Sequence, residues 1–98
     1  MASFQEIVKD SKPVFVDFYA TWCGPCKAMA PVLEELKKDL GEAIKIVKID
    51  VDKNKNLAAG LQVQGVPTFM IFVDGNPVWR QSGGISKSQL KSVLQTYL

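Results

Sequence analysis

The two cysteines of this chain, Cys23 and Cys26, are separated by Gly24 and Pro25, between an apolar run (Val14 to Tyr19) and a segment with helical spacing. A Cys-x-x-Cys pair at a strand-to-helix junction has specific physics. The unpaired amides of the first helical turn point toward the first sulfur, and the helix dipole adds partial positive charge there. Both favour thiolate over thiol. An ordinary thiol, with a pKa of about 8.5, is only roughly 3% ionised at pH 7. Bringing it to half ionisation takes about 2 kcal/mol, which is the size of favourable helix-terminal effects. Cys26, three residues on, shares the same helical face and can close an intramolecular disulfide. One turn inside the helix, Cys26 is expected to be the more buried and less acidic sulfur. Cys23 then attacks and Cys26 resolves.

The competing readings are weaker. Zinc takes four ligands, and this chain offers two Cys and no His, so only a dimer could assemble a four-cysteine site. A structural disulfide across two residues closes too small a loop to restrain the unfolded chain much. Inert burial suits a lone cysteine better than a pair at a helix start. Redox chemistry is the favoured reading. The missing histidine also excludes His-based triads, His metal sites and His pH switches.

Asp17 is the anomaly in the apolar run. A carboxyl desolvated there has a raised pKa. The alternative is a buried polar side chain satisfied by a local hydrogen bond.

These residues need a scaffold, and the composition allows one. The chain has 98 residues, 47% hydrophobic and 22% charged, with a net charge of +2. That suits one globular domain over residues 1–98, with a core in place of a disulfide framework. No apolar run reaches the ~20 residues of a membrane span. The basic residues are scattered among acidic ones, which argues against nucleic acid. Met1 to Glu6 lacks the basic and apolar regions of a secretory leader, so a cytoplasmic location is expected.

Ser3-x-x-Glu6 reads as the cap of a short first helix ending near Lys12-Pro13. Val14 to Tyr19 reads as a strand buried on both faces. From Pro25 to about Leu40, Met29, Val32, Leu33, Leu36 and Leu40 form a helical stripe that continues past a kinking Pro31 and stops at Gly41. Glu34 and Lys38 are spaced as an exposed i,i+4 pair. Ile44 to Val51 reads as a second buried strand, giving a right-handed βαβ unit. A short helix over Asn54 to Gly60 follows. Then come a Gly65-Val66-Pro67 turn, a strand from Thr68 to Val73, a hairpin turn at Asp74-Gly75-Asn76, and a returning strand over Pro77 to Gln81. Ser86-x-x-Gln89 caps a final amphipathic helix through Leu98. The fold class is α/β: a mixed sheet, βαβ then ββα, with helices on both faces.

Tyr19-Ala20-Thr21-Trp22-Cys23-Gly24-Pro25-Cys26-Lys27, together with Asp17 and Gly65-Val66-Pro67-Thr68, closely resembles the thioredoxin family from about Ser3 to Leu98. The resemblance implies a thioredoxin-like three-layer sandwich. It assigns Asp17 to proton transfer with Cys26 and matches Lys48 to a lysine near that acid; the plain alternative for Lys48 is an edge or surface lysine. It makes Pro67 a cis-proline, although most X-Pro bonds are trans. Val66 would then offer its backbone to an extended substrate beside Cys23. Trp22, Gly24, Pro25, Gly65 and Gly83 complete the docking surface. Two departures stand out. Nothing before Ser3 can form the family's usual N-terminal edge strand, so four strands are expected, with Ile44 to Val51 at an edge that invites pairing. Tyr19 stands where many members carry Trp.

The expected function is a dithiol–disulfide oxidoreductase that reduces disulfides in other proteins. It would bind no metal or organic cofactor, and would be a monomer recycled by a thioredoxin reductase drawing on NADPH. Gly24-Pro25 resembles the reductants of the family, whereas oxidases and isomerases commonly place a His there, which stabilises the thiolate and makes the disulfide more oxidising. The alternatives are an oxidant or isomerase on the same fold, and an interaction module or holdase whose cysteines are incidental.

Overall fold

The computed structural model describes residues 3–98. Ser3 caps α1 (Phe4–Val8), its hydroxyl accepting from the Glu6 amide. This helix is shorter than the sequence suggests. It stops at Val8 because the Asp10 carboxylate takes the Lys12 amide in a local turn, and the residue before Pro13 is disfavoured in a helix.

β1 (Val14–Tyr19) follows and is buried along nearly its whole length. It is central in a four-stranded sheet of order β2-β1-β3-β4, where β2 is Lys45–Asp50, β3 is Thr68–Val73 and β4 is Asn76–Ser82. β1 pairs parallel to β2 and antiparallel to β3, so the sheet is mixed, as expected. The crossover is α2 (Gly24–Leu40), which runs through Pro31 and stops at Gly41, whose φ of +54° suits a residue without Cβ. Lys37 donates to the Gly41 and Ile44 carbonyls and closes that end. α3 (Lys55–Gly60) links β2 to β3, and a two-residue Asp74-Gly75 turn with both φ angles positive joins β3 to β4. α4 (Lys87–Gln95) begins with a capping box made in both directions between Ser86 and Gln89, and ends before Tyr97 and Leu98.

Strand alternation divides the core in two. Phe15, Phe69 and Ile71 face α2 and α4, meeting Met29, Leu33, Leu36, Leu90 and Leu94. Val14, Val16, Phe18, Met70 and Phe72 face the other way, toward Val8 and Phe4 of α1 and Leu57 of α3. The result is a three-layer sandwich with helices on both faces.

Two expectations fail here. β2 is an edge strand, as expected, but it is not buried on both faces: of its residues only Asp50 is buried. A β-branched run suits either position, so composition did not separate them. Glu34 and Lys38 form no ion pair among the described residues. Asp39 instead binds Lys87 and Lys91 of α4 at 2.9 and 3.4 Å, tying two helices together.

Leu36 is fully buried between α2 and the sheet. Leu36→Ala is expected to cost about 3 kcal/mol, read as a lower urea midpoint at unchanged slope.

Candidate functional site

Cys23 is the N-cap of α2, and its Sγ accepts the Cys26 amide at 3.1 Å. Pro25 occupies the first turn, where its missing N–H costs no helical bond. The two sulfurs are joined as a disulfide, with Cα atoms 5.3 Å apart. Both cysteines are buried, and their order reverses the expectation: Cys23 is 3% exposed and Cys26 8%. Both cysteines pack with Ala20 in a cluster flanked by Tyr19, Val51 and Val66, and Cys26 also borders an open cleft.

That cleft, of about 400 Å³, is also lined by Asp17, Tyr19, Ala20, Lys27, Ala30 and Lys48. Asp17 shares the strand face of Phe15, the one that α2 covers. Asp17 is 6% exposed as a residue, and burial pushes its pKa up to about 6, with the Lys48 ammonium partly opposing. Lys48 lies directly across from Asp17 in the β1–β2 register and is exposed. The edge-lysine reading and the acid-partner reading therefore describe the same position.

Pro67 follows a cis peptide bond from Val66, the isomer that the family resemblance implied. Two contacts brace the turn. The Thr68 hydroxyl donates to the Gly65 carbonyl at 2.6 Å, and the Gly83 amide donates to the Pro67 carbonyl at 2.8 Å. Gly83 has a φ of +87°, a conformation that a side chain would strain. Among the described residues, the amide and carbonyl of Val66 have no main-chain partner. Trp22 is 69% exposed, and its indole N–H donates to Asp52 at 2.9 Å. Trp22, Gly65 and Val66 meet Val51, Val63 and Gln64 around a shallow depression of about 90 Å³. Gly24 and Pro25 are exposed at the helix start.

Sequence reasoning missed Asp52 and the bracing by Ser82, whose hydroxyl meets that of Thr68 at 3.2 Å. Asp52 sits 30 residues from Trp22, with no local pattern to announce the pairing.

Comparison with known proteins decides the family. The Thioredoxin family model matches residues 1–96. The chain belongs to the thioredoxin family. It is 47% identical to a thioredoxin-like protein of Synechocystis sp. over 98 residues, covering 99% of this chain and 93% of that protein. It is 45% identical to a chloroplastic thioredoxin Y of Oryza sativa subsp. japonica, covering 99% of this chain but only 58% of that protein. Among solved structures, the oxidised mitochondrial thioredoxin 3 of Saccharomyces cerevisiae superposes with a TM-score of 0.86 at 33% identity, covering 95% of this chain and 86% of that one.

Thioredoxin-family proteins are thiol–disulfide oxidoreductases, and the Cys23–Cys26 disulfide supplies the spacing that dithiol exchange needs. They carry no prosthetic group, and NADPH acts indirectly through thioredoxin reductase. No helix among the described residues is long and apolar enough to cross a membrane.

The raised Asp17 pKa makes a stability prediction. The native state holds this proton more tightly than the unfolded chain, so ionising Asp17 destabilises the fold above about pH 6. The penalty fades as pH falls toward the ordinary value of 3.8. Asp17→Asn is therefore expected to stabilise the protein by about 2–3 kcal/mol at pH 8 and by little at pH 4, measured by urea unfolding at both.

Proposed function

We propose that this chain, acting through residues 1–98 as one domain, is a reductant of protein disulfides with Cys23 as the attacking sulfur. The observation that carries the reading is the Cys26 amide aimed at the Cys23 Sγ at the start of α2. A hydrogen bond from a backbone donor and the positive end of the helix stabilise negative charge on that sulfur. Neither residue between the sulfurs is charged, so the thiolate has no cation there to make the disulfide strongly oxidising.

The reaction then runs in two exchanges. The Cys23 thiolate attacks one sulfur of the substrate disulfide; the other substrate sulfur leaves as a thiolate and a mixed disulfide forms. Cys26 next gives its proton to Asp17, whose pKa of about 6 leaves it ionised at neutral pH yet basic enough to accept. The Cys26 thiolate attacks the Cys23 sulfur, the Cys23–Cys26 bond forms, and the second substrate thiolate leaves. The substrate gains the two electrons that the dithiol gives up. Both Asp17 and Cys26 line the same cleft, which admits the water needed to carry a proton between them. Lys48, across from Asp17, limits how far the pKa rises.

Substrate docking uses Val66, which packs against the cysteine cluster and whose unpaired main chain accepts an extended segment by strand addition. Trp22, Gly24, Pro25, Gly65 and Gly83 frame that contact, and Pro67 shapes the turn. We place the protein in the cytoplasm as a monomer served by a thioredoxin reductase. A reducing thiol pool there keeps such a carrier in its dithiol form.

Two measurements test this reading. Equilibration of the Cys23–Cys26 pair with glutathione buffers, followed by Trp fluorescence, is expected to give a potential at least about 30 mV below the glutathione couple, a tenfold preference for reducing. A potential above that couple puts the oxidase or isomerase reading first. Cys26→Ser is expected to accumulate a mixed disulfide with an insulin-like substrate on non-reducing gels, and Cys23→Ser is expected to form none. Trapping by Cys23→Ser alone would reverse the two roles.

A further inference from the structure

Arg80 takes no part in the exchange chemistry, yet its guanidinium makes a two-pronged contact with the loop that leads to Val66. One terminal nitrogen donates to the Leu61 carbonyl at 2.5 Å and the other to the Gln62 carbonyl at 2.6 Å. These carbonyls lie past the end of α3, which closes at Gly60. The helix end is already served by its own backbone: the Leu61, Gln62 and Val63 amides return to the Leu57, Ala59 and Ala58 carbonyls. Arg80 therefore holds the loop itself. It does so where the chain turns through Gln62, whose φ of +57° is uncommon outside glycine.

Three residues, Val63 to Gly65, separate this clamp from Val66. The far end of the loop is braced by the Thr68 hydroxyl on Gly65 and the Gly83 amide on Pro67. Among the described residues, Arg80 is the one side chain hydrogen-bonded to the near end. All the braces come from β3, β4 or the residue that follows β4, so the loop is suspended from the sheet at both ends with Val66 between. A planar guanidinium suits two adjacent carbonyls, which a lysine ammonium cannot span in the same fixed geometry. The partial negative charge at a helix C-terminus adds to the attraction.

We propose that Arg80 is a positioning residue for protein substrates, setting the entry of the Leu61–Pro67 loop so that Val66 presents its main chain beside Cys23 in one geometry. The inference rests on the reading of Val66 as the docking strand. Without the clamp, the loop divides its population among several geometries, and apparent affinity falls in proportion to the competent fraction. A small disulfide needs the sulfur but not the strand, so its reaction is insensitive to Arg80.

The test uses the full chain with insulin as the protein disulfide and dithiobis(nitrobenzoic acid) as the small one. Arg80→Gln is expected to raise KM for insulin about fivefold, with kcat within about twofold. The small-disulfide rate and the Cys23–Cys26 potential are expected to stay at the parent values, and Arg80→Lys to fall between the two. An unchanged insulin KM overturns the proposal, as does a parallel loss with both disulfides or a shifted potential. Should Arg80→Gln fail to fold, Arg80→Lys carries the same comparison. Val66→Pro, which deletes the docking amide, separates the two ideas. If it raises insulin KM while the Arg80 variants do not, only the role of Arg80 falls. If it leaves KM unchanged, the docking reading falls and this inference with it.

Discussion

The 3.1 Å hydrogen bond from the Cys26 amide to the Cys23 sulfur requires a helix that begins on the residue after Cys23 and a strand that ends just before it. Much of the architecture answers to that requirement. β1 must be central and buried so that its end is fixed, and it is paired on both sides. α2 must be long enough to anchor itself by a buried face, and Met29, Leu33 and Leu36 supply one. The helix start then sits beyond the carboxyl end of a strand in a parallel pair, where open α/β sheets place their ligands. The reactive end of α2 has little freedom because its other turns are committed to the core.

Asp17 shows what the proposed proton transfer demands of that core. An apolar residue in its place would pack the sheet against α2 without a desolvation penalty. The carboxyl is instead held where burial lifts its pKa to about 6. At this value one group can both release and accept a proton near neutrality, whereas an exposed aspartate with an ordinary pKa is a poor base for a thiol. The open cleft beside Asp17 limits the cost, because solvent and the Lys48 ammonium both reach it. The site thus sits between a dry core position, which would leave the acid permanently neutral, and a wet surface, which would leave it too weak a base.

Local patterns were legible in the sequence, and long-range pairings were not. The Cys-x-x-Cys at a helix start, the Ser86–Gln89 box, the Asp74-Gly75 hairpin and the α2 stripe each lie within a few residues, and each appears in the fold. The four strands followed from apolar runs and turn residues, whereas the edge position of β2 followed from the family resemblance. The Trp22–Asp52 bond, the Arg80 clamp and the Thr68–Ser82 contact join residues 30, 18 or 19, and 14 positions apart, which no local pattern encodes. The burial order of the cysteines failed for a related reason. Position along the helix places Cys26 deeper, but Val66, brought in from a distant loop, packs against the cluster that holds both cysteines, and the cleft opens beside Cys26.

The two sheet edges are protected by different means, and the difference ties stability to the site. On β4, Pro77 removes a donor and the register slips between Ile71 and Phe72, while the Tyr97 hydroxyl binds the Val78 carbonyl. On β2, exposed Lys48 stands among half-buried Lys45, Ile46, Val47 and Ile49, and a lysine on an edge strand resists pairing with another chain. Lys48 is also the cation facing Asp17 across the ladder. One ammonium therefore guards the edge and moderates the buried acid. The two functions require the same placement: an exposed head on an edge strand, within reach of a carboxyl on the neighbouring central strand.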